Sequence, residues 1–390
     1  MHKIYCLNKI SKIGLSVLPK KDYEISDSLD DVKAVLVRSA DMHQMELPES
    51  LLAVARAGAG VNNIPLEPLA KKGVVVFNTP GANANAVSEL IVAGMLLASR
   101  DIYGGMNWVK ANQEDSEINK TTEKAKSQFG GTELLNKSIG IIGLGAIGLR
   151  LAQICAALGM KVYGTKRNLE SLNAMKDQLP QNMILVKTKE EIYKKCDFIS
   201  LNLPFSAESK HMINKETIQM MKDGAIILNF ARDGLVNEND VLEAIHAGKV
   251  RTYVTDFPNA NNAKQDHFIV IPHLGASSEE AEDNCASMAA LQIKDFIENG
   301  NIKNSVNFPD INAGPKQSKS RLIILYEASN PQFDIMSKIA ETQSHVKSFI
   351  HQEKNGYGCA IMDCESDIDQ ITLDAIFNLK EVIKIREIES

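Results

Sequence analysis

Ser138-Ile139-Gly140-Ile141-Ile142-Gly143-Leu144-Gly145-Ala146-Ile147-Gly148 is the stretch that decides how this chain is read. An apolar run of strand character enters a Gly-x-Gly-x-x-Gly turn. The turn opens into a helical segment, 149–158, which Gly159 stops. Strand, glycine turn and helix in that order form the fingerprint of a dinucleotide-binding unit, whereas the glycines alone would be weak evidence. Gly143 makes the tight turn, Gly145 lets the backbone approach a pyrophosphate, and Gly148 lets the helix pack on the strand. The helix start then offers free N–H groups and the positive end of its dipole to the phosphates.

Working outward, apolar runs at 161–163, 198–203, 225–230, 252–255 and 268–271 read as further strands, most of them separated by helical segments. Such alternation implies a parallel sheet with helices on both faces. Upstream, 3–7, 32–37 and 73–77 read as strands and 86–99 as a helix with a broad apolar face; the polar stretch 112–126 reads as a solvated helix. Downstream, 277–299 reads as a long helix, opened by a Ser277-x-x-Glu280 capping box and ended at Gly300. Residues 310–320 have the composition of a linker, and 321–390 follow the order strand, helix, strand, strand, helix, strand of a split βαβ unit. The expected class is α/β: two doubly wound parallel-sheet domains, one flavodoxin-like and one Rossmann, plus a small α+β unit at the C-terminal end.

Composition sets the outer limits. The 390 residues are 44% hydrophobic and 24% charged, the balance of a globular chain of two or three domains. A net charge of -6 and a pI near 5.8 offer no electrostatic reason to bind nucleic acid or an anionic membrane. Cys6, Cys155, Cys196, Cys285, Cys359 and Cys364 are scattered and form no Cys-x-x-Cys, so they read as reduced thiols with no metal site. No apolar run spans a bilayer, and the N-terminal residues read as a strand rather than a signal peptide. A cytoplasmic location is expected.

Three segments at predicted strand ends carry the chemistry: Asn229-Phe230-Ala231-Arg232, Thr255-Asp256-Phe257-Pro258 and Ile271-Pro272-His273-Leu274-Gly275. Open parallel sheets bind ligands at that edge. Hydride transfer to a 2-keto acid needs a cation that forks the substrate carboxylate and an acid that protonates the carbonyl oxygen. Arg232 and His273 fit these roles. At the end of the second strand, where an acid ordinarily binds the ribose 2′-OH, the chain reads Thr165-Lys166-Arg167. Two bases there either form a solvated turn or pair with a 2′-phosphate, so NAD and NADP both stay open as cofactor.

With these motifs the chain resembles the D-isomer-specific 2-hydroxy acid dehydrogenases. The resemblance covers about 310 residues and includes Val37-Arg38-Ser39, Arg56-Ala57-Gly58-Ala59-Gly60-Val61-Asn62, Asn78-Thr79-Pro80-Gly81 and Gly300-Asn301-Ile302-Lys303-Asn304-Ser305-Val306-Asn307. It implies that backbone N–H groups of Gly60, Val61 and Asn62 bind the substrate carboxylate, beside Arg38. It assigns the cofactor to Gly143, Gly145, Ala146, Ile147, Gly148, Lys166, Leu203, Pro204, Phe230, Ala231, Asp256 and Gly275, with Asp256 on the nicotinamide carboxamide. It also implies a split substrate lid, 1–100 with 280–309, around a dinucleotide-binding domain at 101–279, with 321–390 a regulatory domain of the ACT type. The implied reaction is oxidation of D-3-phosphoglycerate to 3-phosphohydroxypyruvate at the entry to serine synthesis, in a homodimer or homotetramer. Alternatives are an NADP-dependent reductase of glyoxylate or hydroxypyruvate, and a non-catalytic NAD-sensing scaffold. The pattern fails in three places, one of them Asp233, which stands where a glycine commonly follows the arginine. The family's acid partner of the histidine is missing from Asn259-Ala260-Asn261-Asn262, and the effector turn reads Ser329-Asn330-Pro331-Gln332 where the family has a glycine at its end. An amino-acid effector therefore stands beside a pure dimerisation role for the C-terminal unit.

Overall fold

The computed structural model describes residues 1–168, 178–328, 335, 337 and 345–388. The chain divides into two compact units, Met1–Ala82 with Glu279–Ser390, and Asn83–Ser278.

In the first unit, β1 (His2–Cys6), β2 (Tyr23–Ser26), β3 (Ala34–Val37), β4 (Ala53–Arg56) and β5 (Val75–Phe77) form a wholly parallel sheet in the order β2-β1-β3-β4-β5. That is the flavodoxin-like order. Two of its strands are not legible in the sequence. Tyr23–Ser26 has three polar or aromatic residues in four, and Ala53–Arg56 is short and alanine-rich, so neither shows the β-branched run that marks a strand.

The second unit carries β6 (Ser138–Ile142), β7 (Lys161–Thr165), β8 (Ile184–Leu185), β9 (Phe198–Leu201), β10 (Ala225–Asn229), β11 (Val250–Thr255) and β12 (Phe268–Val270). Their order is β12-β11-β10-β9-β6-β7-β8, all parallel. The chain reverses direction across the sheet at β6, which pairs with β7 on one side and β9 on the other, and this makes the crevice in which such sheets bind ligands. The helix Ala84–Ser99 belongs here and not with the first unit, although the sequence places the boundary at residue 100. Its Val87, Ile91 and Met95 share a core with Ile139 and Ile141 of β6 and with Leu149 and Leu151. Packing, not chain position, assigns it.

The helix expected at 277–299 is Glu279–Asn299, so Ser278, not Ser277, precedes its first residue and the Ser277–Glu280 capping box does not form. The Ser277 N–H instead closes a turn on the Leu274 carbonyl. At the other end Gly300 takes a left-handed φ of 73°, as a glycine stop requires.

The C-terminal strands β13 (Ser320–Glu327), β14 (Val346–Lys354), β15 (Tyr357–Cys364) and β16 (Val382–Ile388) form an antiparallel sheet in the order β14-β15-β13-β16. The first helix expected in this region and the turn Ser329-Asn330-Pro331-Gln332 lie outside the described residues. The sheet is apolar on both faces. Leu322, Ile324, Tyr326 and Met362 pack with Ile368 and Ile376 on one side. On the other, Ile323, Leu325, Cys359 and Ile361 join the core that holds Ile4, Phe77, Phe296 and Phe308. The C-terminal sheet therefore completes the core of the first unit, and residues 310–320 do not act as a loose tether. Ile302 and Ile311 exchange both backbone hydrogen bonds, and the Ala313 and Lys316 N–H groups donate to Asn301 Oδ1 and Asn299 Oδ1 at 2.9 Å each.

Buried polar groups fix this docking. Arg321 is 1% exposed, and its guanidinium forks the Asp363 carboxylate with two bonds of 2.8 Å. The same group donates to the carbonyls of Asn299 at 2.9 Å and Gly314 at 2.8 Å. Arg386 donates to the carbonyls of Phe296 and Ile297 and lies over the Phe296 ring. Two arginines from the C-terminal sheet thus satisfy the last carbonyls of Glu279–Asn299 and oppose the negative end of its dipole.

Candidate active site

The glycine turn has the geometry its sequence implies. Gly143 has φ 103°, and a Cβ there would stand 2.2 Å from the Asn202 carbonyl oxygen. A Cβ on Gly148 would stand 2.1 Å from the Gly143 carbonyl oxygen, so turn and helix approach as only glycines allow. Gly145 faces open space: a Cβ there would meet nothing within 4 Å. The helix Ala146–Ala157 starts directly after it and has no side-chain cap, leaving its N-terminus available to an anion. Two tight glycines, one open glycine and an uncapped helix fit a dinucleotide pyrophosphate.

A cavity of about 740 Å³ opens beside this turn. Gly143, Gly145, Lys166, Leu203 and Pro204 all line it, together with Arg167, Lys187 and Lys189. Ala146, Ile147, Gly148, Phe230, Ala231, Asp256 and Gly275 are not part of its wall. Phe230, Ala231, Asp256 and Gly275 belong instead to the loops that follow β10, β11 and β12.

Those loops carry the reactive groups. Arg232 follows β10, and its Nη1 donates to the Ala231 carbonyl at 2.6 Å. Asn229, 1% exposed, braces the turn: its Nδ2 donates to the Arg232 carbonyl at 3.0 Å, and its Oδ1 accepts the Ala231 N–H at 3.3 Å. Sequence reasoning gives Asn229 no role of its own; a polar residue closing an apolar strand is the signal that could have found it. His273 follows β12 with φ 38°, a strained backbone for a non-glycine residue. Its N–H donates to the Asp256 carbonyl at 3.1 Å, and its ring meets the Phe257 ring edge-on at 5.1 Å. The imidazole itself is exposed.

Asp256, which follows β11, is 2% exposed, and its Oδ1 is buried with no hydrogen-bond partner. An orphaned acceptor at this point fits a carboxamide N–H₂ donor, which is what a nicotinamide presents. Burial pushes the Asp256 carboxyl above the usual carboxylate range, while the positive charges of His273 and Arg232 and the Gly275 N–H oppose the rise. Asp256→Asn should therefore stabilise the cofactor-free protein at pH 7. A raised folded-state pKa contributes stability only below the ordinary carboxylate value and loses it as pH climbs through the folded value. The asparagine avoids that loss, so the gain should be about 2–4 °C in Tm at pH 7 and vanish near pH 3.5. Calorimetry at both pH values checks it; equal Tm values at pH 7 would mean that Arg232 and His273 already offset the burial.

The segment that lacks the family's acid is pinned by one from elsewhere. Asn259 and Asn262 donate to the two carboxylate oxygens of Glu238, at 2.9 and 2.8 Å. Among the described residues no ion pair or hydrogen bond joins the His273 ring to a carboxylate.

In the first unit the substrate candidates gather at the C-terminal ends of adjacent strands. Arg38 follows β3, Gly60, Val61 and Asn62 lie in the loop after β4, and Asn63 ties that loop to the Ala40 carbonyl at 2.7 Å. Asn8 Oδ1 accepts the N–H groups of Arg38, Ser39 and Ala40 at 3.1 to 3.3 Å, which fixes the loop that carries Arg38. Arg38 Nη1 pairs with Glu282 at 2.6 Å. Arg56, the last residue of β4, folds its guanidinium over Gly58 in the same loop, a placement that the sequence does not signal.

Among known proteins, residues 92–275 match the D-isomer specific 2-hydroxyacid dehydrogenase, NAD binding domain. The chain is 33% identical over 322 residues to the D-3-phosphoglycerate dehydrogenase of Methanocaldococcus jannaschii, covering 79% of this chain and 58% of that one. It is 33% identical over 327 residues to that of Bacillus subtilis, covering 79% and 59%. The chain thus spans somewhat over half the length of the curated relatives it matches. Of solved structures, the NAD+-bound 3-phosphoglycerate dehydrogenase of Entamoeba histolytica matches 78% of this chain and 98% of its own, with TM-score 0.60 and 27% identity. A glyoxylate reductase from Paecilomyes thermophila shares the fold, with TM-score 0.63 at 22% identity over 78% of this chain and 98% of that one.

Proposed function

We propose that this chain, which belongs to the D-isomer specific 2-hydroxyacid dehydrogenase family, oxidises D-3-phosphoglycerate to 3-phosphohydroxypyruvate with a nicotinamide dinucleotide. One observation carries the reading: Arg232, Asp256 and His273 follow three adjacent strands, β10, β11 and β12, of the sheet that also bears the glycine turn. The cofactor, when bound, supplies or accepts the hydride. Arg232 forks the substrate carboxylate, His273 takes the hydroxyl proton in oxidation and returns it in reduction, and Asp256 accepts from the carboxamide. In the first unit the N–H groups of Gly60, Val61 and Asn62, with Arg38 and Arg56, suit an anionic substrate. Two arginines at neighbouring strand ends favour a substrate with a phosphate as well as a carboxylate.

The 33% identity to D-3-phosphoglycerate dehydrogenases over 79% of the chain supports that substrate over glyoxylate. An oligomer is part of the same reading. The helix Ile102–Ala111 has no buried residue and leaves Tyr103, Met106 and Val109 largely exposed, an apolar face that a second copy covers. No helix among the described residues is long and apolar enough to cross a membrane, which fits a cytoplasmic enzyme. The C-terminal sheet has the strand order of a split βαβ unit, and an amino-acid effector is the role proposed for it.

The deciding assay is reduction of 3-phosphohydroxypyruvate, glyoxylate and hydroxypyruvate with either reduced cofactor. Preference for the phosphorylated acid supports the proposal. Cofactor binding without turnover of any keto acid replaces it with a sensing role. Arg232→Lys should lose about 100-fold in kcat/KM, through both KM and kcat, because an ammonium group cannot fork a carboxylate. A near-normal kcat/KM would remove Arg232 from the site.

A further inference from the structure

We infer that Glu238 is a positioning residue for the proton transfer: through Asn262 and Phe257 it holds the ring of His273 in place. The inference deepens the dehydrogenase reading and rests on it. A general acid works only when its proton lies within hydrogen-bond reach of the reacting oxygen. The His273 imidazole is exposed, and among the described residues no carboxylate holds it by an ion pair or hydrogen bond. Its ring instead meets Phe257, at 5.1 Å between centroids and 81° between planes. Such edge-on packing limits rotation of the imidazole without engaging a ring nitrogen in a hydrogen bond. The backbone of His273 depends on the same loop, since its N–H donates to the Asp256 carbonyl at 3.1 Å.

Phe257 is tied on both sides. Its N–H donates to Thr255 Oγ1 at 3.2 Å, and its carbonyl accepts from Asn262 Nδ2 at 2.9 Å. Asn262 is 1% exposed and uses all its polar groups: Nδ2 also donates to Glu238 Oε1 at 2.8 Å, and Oδ1 accepts the Asn259 N–H at 2.8 Å. Asn259 repeats the pattern. Its Oδ1 accepts the N–H groups of Asn261 and Asn262 at 2.9 Å each, and its Nδ2 donates to Glu238 Oε2 at 2.9 Å. A carboxylate only accepts, so Glu238 fixes which way both amides face. Either amide turned round would set its N–H₂ against the N–H groups that its oxygen now accepts. Bonds to an ionised acceptor are also the stronger kind. Glu238 opens the helix Glu238–His246, in the connection that follows β10 and carries Arg232. It therefore ties that connection to the loop after β11, which bears Asp256 and Phe257.

The test on the full chain combines kinetics of 3-phosphohydroxypyruvate reduction, titration with NAD, and NMR of labelled histidine. The variants are Glu238→Ala, Glu238→Gln, Phe257→Leu and the double variant Glu238→Ala with Phe257→Leu. Glu238→Ala should lower kcat about 10-fold while the Kd for NAD stays within about twofold, because a small misplacement of a reacting group costs rate steeply. Glu238→Gln keeps one acceptor and should fall between wild type and Glu238→Ala. The double variant should be no slower than the slower single, since both act through one contact. The His273 ring signal, identified by its loss in His273→Asn, should move in Glu238→Ala. Wild-type kcat in Glu238→Ala, or a double variant whose losses multiply, overturns the inference and keeps the dehydrogenase reading. A kcat loss matched by equally weakened NAD binding overturns it too, since Glu238 would then only support the loop that holds Asp256. If Glu238→Ala does not fold, Glu238→Gln decides, and wild-type kcat with an unmoved His273 signal overturns the inference. A wild type that reduces no keto acid removes the dehydrogenase reading, and an unmoved His273 signal in Glu238→Ala then overturns the brace as well.

Discussion

His273→Asn is expected to lower kcat/KM for reduction of 3-phosphohydroxypyruvate by about 100-fold or more, the usual scale for a positioned general acid. Asparagine keeps much of the size of the imidazole and, like histidine, tolerates a positive φ, so the backbone at φ 38° need not rearrange. It cannot transfer a proton. Cofactor binding should therefore survive while turnover is lost, which separates chemistry from folding. In wild type, reduction needs the imidazole protonated in the free enzyme, so kcat/KM should fall as pH rises through its titration. Oxidation needs it neutral and should rise over the same range. Both limbs should flatten in the asparagine variant. Rapid mixing across a pH series reads them; a variant that keeps wild-type rates and an unchanged profile shows that the proton comes from another group.

Arg321→Met is expected to destabilise the first unit by about 3–5 kcal/mol, the cost of leaving one partner of a buried ion pair without the other. The loss reaches beyond Asp363. Arg321 also satisfies the Asn299 and Gly314 carbonyls, so the end of the long helix Glu279–Asn299 loses a cap in the same step. Because β13 and β15 share the core of the five-stranded sheet, the damage should appear as loss of the whole unit and not as release of a C-terminal appendage. The double variant Arg321→Met with Asp363→Leu should recover most of the stability, since it removes the stranded charge. Denaturation monitored by circular dichroism gives both values, and a single variant within about 1 kcal/mol of wild type would show the clamp to be dispensable.

The Arg321 clamp marks the limit of what sequence reading reaches. The glycine turn, the strand that enters it and the helix that leaves it are contiguous, and short-range backbone geometry dictates each glycine, so residues 138–159 suffice to read them. The strand-end positions of Arg232, Asp256 and His273 are legible for the same reason: each directly follows an apolar run, and the edge of a parallel sheet is where such residues gather. The tertiary structure alone decides the rest, because those contacts join residues that no local period connects. Glu238 pins Asn259 and Asn262 from more than twenty residues away. Lys187 and Lys189 reach the side of Lys166 only because β8 pairs with β7. Arg321 and Arg386 read in sequence as ordinary charges on strands. Burial against the carbonyls of Asn299, Phe296 and Ile297 turns them into the caps of a helix, because a buried guanidinium and an open helix end each lack hydrogen bonds that the other supplies.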